Sequence, residues 1–384
     1  MQRRNFIRLL GGGTLALATL PLSGCSADYP PEAVAAWAGP PAEADLRHWA
    51  LGYALLSPSA HNLQSWQVDL REPDAITLHV DRERLLPATD PHSRQIMVSQ
   101  GCFIEAVLIA LRQRGIEAQL QLFPEGEVAP REIDARPVAR ISWTANARGA
   151  APDPLFAQLL HRSTSKLAYD TQHPVPPELL ARLLDIAMPS DVAVAGTVDP
   201  GRIARLRQLC LASAEVELLT HATMMENLRL TRVGPAEILQ HRDGVSVNTP
   251  FARAMSSLGL FDRSHAPAPD GAAYKAMHKV YEDYSLTAMG FAWLSTAPGR
   301  RGEVEAGRAW LRLQLRATAL GLQLHPMSQS LQEFPEMREH YLAVHQDLLG
   351  STPDQRVLQM FGRLGFGAPG PHTPRRELHA IIRA

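Results

Sequence analysis

Cysteine is scarce in this chain, with 3 in 384 residues. None sits in a CxxC pair or a Cys/His cluster, so a disulfide framework and a structural zinc site are both excluded, and no metal site is expected. An excess of charge is also missing. Lys+Arg number 38 and Asp+Glu 39, a formal net charge of −1, which leaves no general footprint for nucleic acid. After the N-terminus no uninterrupted apolar run reaches about 18 residues, so no membrane-spanning helix is expected in the body. There is no Walker A loop, no GxSxG elbow and no HExxH pair, and the triple glycine Gly11-Gly12-Gly13 falls in a leader rather than after a strand. What remains is an ordinary soluble composition, 45% hydrophobic and 20% charged, long enough for two domains or one duplicated domain.

The N-terminus reads as an address. Arg3-Arg4 followed by Asn5-Phe6-Ile7 resembles a twin-arginine export signal. The stretch from Leu9 to Leu22 is short, mildly apolar and rich in glycine, too weak to stay in a bilayer. Leu22-Ser23-Gly24-Cys25 resembles a lipobox, in which the cysteine becomes the first mature residue and carries lipid. The competing reading is an incidental Cys25 with cleavage elsewhere. Residues 1–24 are therefore expected to be an export signal, Cys25 the lipidated residue, and 25–44, rich in Pro and Ala, a tether. The expected location is the periplasmic face of a membrane, held only through the lipid. Twin-arginine export suits proteins that fold first, as a cofactor acquired in the cytoplasm would require.

The body carries one helix–strand pattern twice. Residues 45–59 have helical apolar spacing and end in Ser-Pro-Ser, and residues 178–190 do the same and end in Pro-Ser. Gly101 to Arg114 reads as a helix stopped by Gly115 and followed by a strand, Ala118 to Phe123. Ala306 to Leu320 reads as a helix stopped by Gly321 and followed by a strand toward Pro326. Glycine suits that stop because it takes positive φ without strain. Trp66 to Leu70 and Ile76 to Val80 alternate about a turn at Pro73-Asp74 and read as a hairpin. Matching landmarks in the same order predict a duplication, with halves at 45–145 and 155–384. Residues 221–300 have no counterpart in the first half and read as an inserted lid or an extra helical layer.

Two segments carry the chemistry. Pro58-Ser59-Ala60-His61-Asn62-Leu63-Gln64-Ser65-Trp66 places a hydroxyl and two carboxamides between a helix and a strand. Neutral groups that both donate and accept can match the polar edge of a heterocycle without adding charge. On its own such a segment is more often a turn. His161-Arg162-Ser163-Thr164-Ser165-Lys166, before Pro174-Val175-Pro176, places guanidinium, hydroxyl and ammonium at alternate positions, which suits a phosphate. Phe361-Gly362-Arg363-Leu364-Gly365-Phe366-Gly367 and Thr373-Pro374-Arg375-Arg376 add C-terminal cations. The halves are asymmetric. Residues 30–44 contain no Lys or Arg, and Pro189-Ser190 continues as Asp191-Val192-Ala193-Val194 without amides, so each half lacks what the other has.

The first segment resembles the PSxxNxQPW stretch of nitroreductase-like flavoproteins, with Ser65 in place of the usual Pro. The second resembles their RRSxR…PVP opening. With residues 307–329, these segments resemble most closely the Acg family of tandem nitroreductase-like proteins, over most of residues 45–384. The resemblance implies an α+β fold whose two interlocked halves mimic the usual homodimer, so the chain is expected to be a monomer with one FMN. It implies ring contacts from Pro58, Ser59, Asn62, Gln64, Pro326 and Met327, and phosphate contacts from Arg162, Thr164, Lys166, Arg375 and Arg376. The implied activity is NAD(P)H-dependent, flavin-mediated transfer of electrons or hydride to a small organic acceptor. The alternative is a flavin-sequestering protein whose inserted lid blocks turnover. His61 reads as structural or at the rim, Cys102 and Cys210 as buried and inert. No residue is assigned a proton-transfer role.

Overall fold

The computed structural model describes residues 29–42, 44–144, 149–188, 191–259 and 261–383. The expected export signal and Cys25 lie outside the described residues, as do Pro189 and Ser190. Helix α1 (Leu46–Ala54) begins at Asp45, whose carboxylate accepts from the backbone N–H of Arg47 and His48. The loop carrying the amides follows, then strands β1 (Trp66–Asp69) and β2 (Ala75–Val80), paired antiparallel with Trp66 opposite Val80. Helix α2 (Arg94–Gln113) leads to β3 (Gln119–Leu122) and β4 (Ala139–Ser142). The four strands form one sheet in the order β1-β2-β4-β3.

The second half opens with α3 (Pro177–Leu184) and β5 (Ala193–Thr197). An excursion then runs through α4 (Pro200–Leu219), α5 (His221–Leu230), β6 (Thr231–Val233), α6 (Gly234–His241), β7 (Val245–Val247), α7 (Pro250–Ser257) and α8 (Ala272–Leu286). The chain returns through β8 (Gly290–Thr296), α9 (Arg300–Ala319), β9 (Gln323–Pro326), α10 (Arg338–Leu349) and β10 (Val357–Gly365). The second sheet has the order β5-β8-β10-β9, so counted within its own half each sheet is 1-2-4-3. The expected duplication is present in the topology. The insertion replaces the turn between the first two strands, spanning 198–289 rather than 221–300: α4 belongs to it, and 290–296 are sheet.

The halves meet along α2 and α9. Gly115 (φ +74°) and Gly321 (φ +71°) end these two helices, and the same number of residues separates Gly101 from Gly115 as Gly307 from Gly321. Gly101 and Gly307 lie where the helices cross. A Cβ on Gly101 would stand 2.0 Å from the Val304 carbonyl, and one on Gly307 1.9 Å from the Val98 carbonyl. Only glycine lets the backbones touch there. Beside the crossing, Glu105 takes Arg308 (2.9 Å) and Arg312 (2.8 Å), and Arg312 also reaches Asp153 (2.8 Å). One core cluster draws on both halves, from Trp66, Phe103 and Ile141 to Leu294, Leu313 and Leu324. Trp66 is fully buried against Phe103. Helix α2 is long and apolar enough to cross a membrane, but almost all of it is buried inside the protein.

Both ends of the described chain cross over. After β10 the chain returns to the first half, where Ile382 bridges Val68 in parallel and the Arg383 N–H donates to the Val68 carbonyl at 2.8 Å. Residues 29–42, expected to be a tether, are folded instead. A helical turn, Pro31–Val34, and a 3-10 turn, Ala35–Ala38, bury Tyr29, Ala33 and Trp37 against the insertion and the C-terminal segment. Burial of Trp37 and Tyr29 explains why a Pro/Ala-rich stretch is ordered: aromatic side chains supply area that composition alone hides.

Candidate functional site

The loop 58–64 connects α1 to β1 through an unusual backbone. His61, Asn62 and Gln64 all have positive φ, 48°, 52° and 54°. Each non-glycine residue in that region costs about 1 kcal/mol or more. Local bonds hold it: the Gln64 N–H donates to Ser59 Oγ (2.9 Å), and the Ala60 N–H to Ser99 Oγ (3.1 Å) on α2. The two carboxamides have their partners within the protein. Asn62 Nδ2 donates to the Pro374 carbonyl (3.1 Å), while Asn62 Oδ1 accepts from Arg375 (2.7 Å). Gln64 Nε2 donates to the Arg242 carbonyl (2.8 Å), and its Oε1 accepts from the Arg376 N–H (2.8 Å). Expected as ring ligands, these amides clamp the C-terminal segment, and Gln64 is fully buried in doing so. Pro58 and Ser59 stay half-exposed on the same loop.

The C-terminal segment brings Arg375 to Arg162. Both are 3% exposed. Their NH2 groups donate to one acceptor, the Leu56 carbonyl, at 3.2 Å and 3.0 Å. Arg162 also reaches Thr164 Oγ1 at 3.3 Å. Arg375 further bonds Thr373 Oγ1 and the Pro374 carbonyl, and its Nε has no partner among the described residues. Among the described residues neither guanidinium has an acidic partner. Burial pushes Arg162 down to about 10. Burial, and then the charge of Arg162, holds Arg375 well below the usual arginine range. The two like charges thus lie buried together with no carboxylate among the described residues, where buried charges otherwise carry a partner.

The other expected phosphate ligands behave differently. Arg376 is compensated, by Asp81 (3.4 Å) and by the Gln64 and Ala380 carbonyls. Lys166 is exposed, so the expected alignment of Arg162, Thr164 and Lys166 holds only for the first two. Residues 162–166 are not a strand, and alternation does not apply to them. Pro326 pairs with Gly362 at the end of β9. Met327 is buried among Tyr284, Phe291 and Phe361, with its N–H donating to the Phe361 carbonyl (2.8 Å).

Arg363, from the glycine-rich segment, fixes the loop that carries Arg162 and Thr164. It is fully buried and donates to His325 Nδ1 (3.0 Å) and to the carbonyls of Tyr284 (2.7 Å), Ser165 (3.0 Å) and Leu167 (2.8 Å). Its guanidinium lies 3.8 Å from the Tyr169 ring centre. Gly370 crosses the same loop backbone to backbone, where a Cβ would meet the Thr164 carbonyl at 2.7 Å.

Two groups were not legible as site residues. Trp37 stacks on His372 (4.1 Å, 9°) and lies 5.0 Å from the Arg375 guanidinium and 5.6 Å from that of Arg162. From the insertion, Asn227 accepts or donates between His61 Nε2 (2.8 Å) and the buried Glu217 (2.8 Å), which also takes Gln332 (3.1 Å). Asn227 turns its NH2 to Glu217 and its Oδ1 to His61. The insertion is stapled further by Glu226, which accepts from the N–H groups of Ala88 (3.0 Å) and Thr89 (2.9 Å). A cavity of about 490 Å³ opens between residues 32–44, α1 and the C-terminal segment, with Arg375 and Arg376 in its wall. That volume falls within the range of small-molecule pockets.

No family model matches the chain. A Mycobacterium tuberculosis protein described as a "Putative NAD(P)H nitroreductase" is 27% identical over 350 residues, covering 88% of this chain and 92% of the relative. The acg protein of the same organism, given the same description, is 31% identical over 80 residues, or 21% of this chain and 24% of that protein. Among solved structures, the FMN-dependent nitroreductase NfnB from Mycobacterium smegmatis in complex with NADPH aligns with a TM-score of 0.36 and 17% identity, over 58% of this chain and 94% of that one. A Bacteroides fragilis nitroreductase with bound FMN gives 0.32 and 14%, over 59% and 95%.

Proposed function

The chain is a homologue of the mycobacterial Acg-like nitroreductase proteins, and from that premise we propose that it is an FMN-dependent oxidoreductase of nitroreductase type. The observation that carries the reading is the buried pair Arg162 and Arg375, joined at the Leu56 carbonyl with no acid beside them among the described residues. A phosphomonoester dianion supplies the missing charge, and planar guanidinium groups suit its oxygens. Arg162, Arg375 and the Thr164 hydroxyl hold the phosphate. Ser59 with the backbone of 58–62 would meet the ring, while Pro326 and Met327 as ring ligands and Lys166 at the rim rest on the resemblance alone. FMN bound there supplies two-electron or hydride transfer from a nicotinamide donor to a small organic acceptor.

The chain's own part is to bind, orient and exclude water. Asn62 and Gln64 fix the C-terminal segment so that Arg375 is held in place. Arg363 and Gly370 fix the loop that carries Arg162 and Thr164. The cations come from the second half and the hydroxyl-bearing loop from the first, which supports one site per chain and a chain that acts as a monomer. The relatives' descriptions favour turnover over flavin storage. We assign the leader to twin-arginine export and Cys25 to lipid attachment on the periplasmic face of a membrane; Cys25→Ser should release the protein into the soluble fraction.

The functional test is spectroscopic. The purified mature chain should carry oxidised flavin, lose its visible band on adding NAD(P)H or dithionite, and regain it with a nitroaromatic or a quinone. Bound flavin that no donor reduces would remove the oxidoreductase reading and leave sequestration.

A further inference from the structure

The N-terminal strap ends over the two uncompensated arginines. Trp37 is 7% exposed, and its Nε1 donates to the Thr373 carbonyl at 2.8 Å. The Arg375 N–H donates to the Ala33 carbonyl at 2.9 Å, so the strap and the arginine-bearing segment are tied at two points. The indole stacks almost parallel on His372 and lies within reach of both guanidinium groups. The chain leaves the strap through Gly39, whose φ of +81° turns it away toward Pro40 and whose neighbours are Leu160 and Tyr53. A bulky, flat side chain fixed on three sides does not yield as a flexible one does.

We propose that Trp37 is a specificity-determining residue that closes the phosphate subsite, so that the cofactor must end in a phosphomonoester. This rests on the FMN reading above. A flavin without phosphate leaves Arg162 and Arg375 uncompensated. A flavin dinucleotide would need room beyond its first phosphate for a second phosphate and adenosine, and the indole and His372 fill volume beside both guanidiniums. Rejection of the longer molecule is steric and rejection of the shorter one electrostatic, and both follow from the same capped pair of cations.

The test measures FMN, FAD and riboflavin affinities by flavin fluorescence for the mature chain, Trp37→Ala and Trp37→Phe. The wild type should prefer FMN to FAD by at least about 100-fold, and Trp37→Ala should narrow that ratio at least about tenfold, chiefly because FAD gains. Trp37→Phe, which keeps a ring over the guanidiniums, should retain most of the preference. Should the alanine variant not fold, Trp37→Leu is read in its place with a smaller gain. An FMN-to-FAD ratio that Trp37→Ala leaves unchanged overturns the specificity role while the FMN reading stands, and so does equal loss of both flavins. A wild-type chain that binds neither flavin overturns both.

Discussion

Replacing Arg162 by methionine separates an anion site from a structural ion pair, because the two predict opposite signs. The NH2 groups of Arg162 and Arg375 both sit on the Leu56 carbonyl, at 3.0 Å and 3.2 Å. Two unit charges held on one oxygen repel by roughly 3 kcal/mol at an effective dielectric near 20. The uncharged side chain would relieve that repulsion and would not strand the Leu56 carbonyl, which keeps Arg375. Against the gain stand the lost bond to Leu56, about 1 kcal/mol, and the loss of the Trp37 contact, about 1 kcal/mol. Denaturant melts of ligand-free Arg162→Met should therefore show stability unchanged or raised by about 1 kcal/mol. FMN binding should weaken by about 10- to 150-fold, the worth of one charge-assisted bond to phosphate. A variant that loses more than about 2 kcal/mol without ligand and binds FMN as before would refute the anion-site reasoning. Arg112→Ala, at an exposed pair with Glu117, is the control and should change neither quantity.

Other perturbations test the scaffold. Gly307→Ala places a methyl 1.9 Å from the Val98 carbonyl; it should cost about 3 kcal/mol or more by thermal melting, and wild-type stability would show that the helices do not touch. Asn62→Ala removes both side-chain bonds to residues 374 and 375, so hydrogen exchange of 370–383 should quicken, at a cost of about 2 kcal/mol. His345 donates to the Tyr341 carbonyl and accepts from the Leu358 N–H, and burial lowers it to about 4. Its folded value lies below its ordinary 6.5, so the stability it contributes is present above that value and is lost as pH falls toward about 4, up to about 3 kcal/mol in all. His345→Gln keeps an acceptor for Leu358 and should flatten that acid limb; an unchanged limb would locate the titration elsewhere.

The repeated landmarks were legible because they rest on strong local rules. Gly115 and Gly321 mark helix ends, and Trp66 to Val80 alternates as a hairpin must. The first turns of α2 were not legible: Arg94, Gln95, Ser99 and Gln100 are polar, and only the tertiary structure shows that they are buried. Helix α4 was invisible as part of the insertion because its apolar residues follow no single stripe. The strap was lost to composition, since Pro and Ala read as linker and one tryptophan gives no periodicity. At the site, the sequence named Arg162 and Arg375 but could not separate Arg375 from Arg376. Only the fold shows that Asp81 stands beside Arg376, while Arg375 faces another arginine. Lys166 was placed by an alternation that needs a strand, and the segment is not one.

Flavin stoichiometry is the most direct measurement, made on the mature chain and on Arg162→Met/Arg375→Met together. One FMN per wild-type chain, with little or none retained by the double variant, is the predicted result. Equal flavin content in the two proteins, or none in the wild type, would contradict an account in which this buried pair of cations holds the cofactor's phosphate.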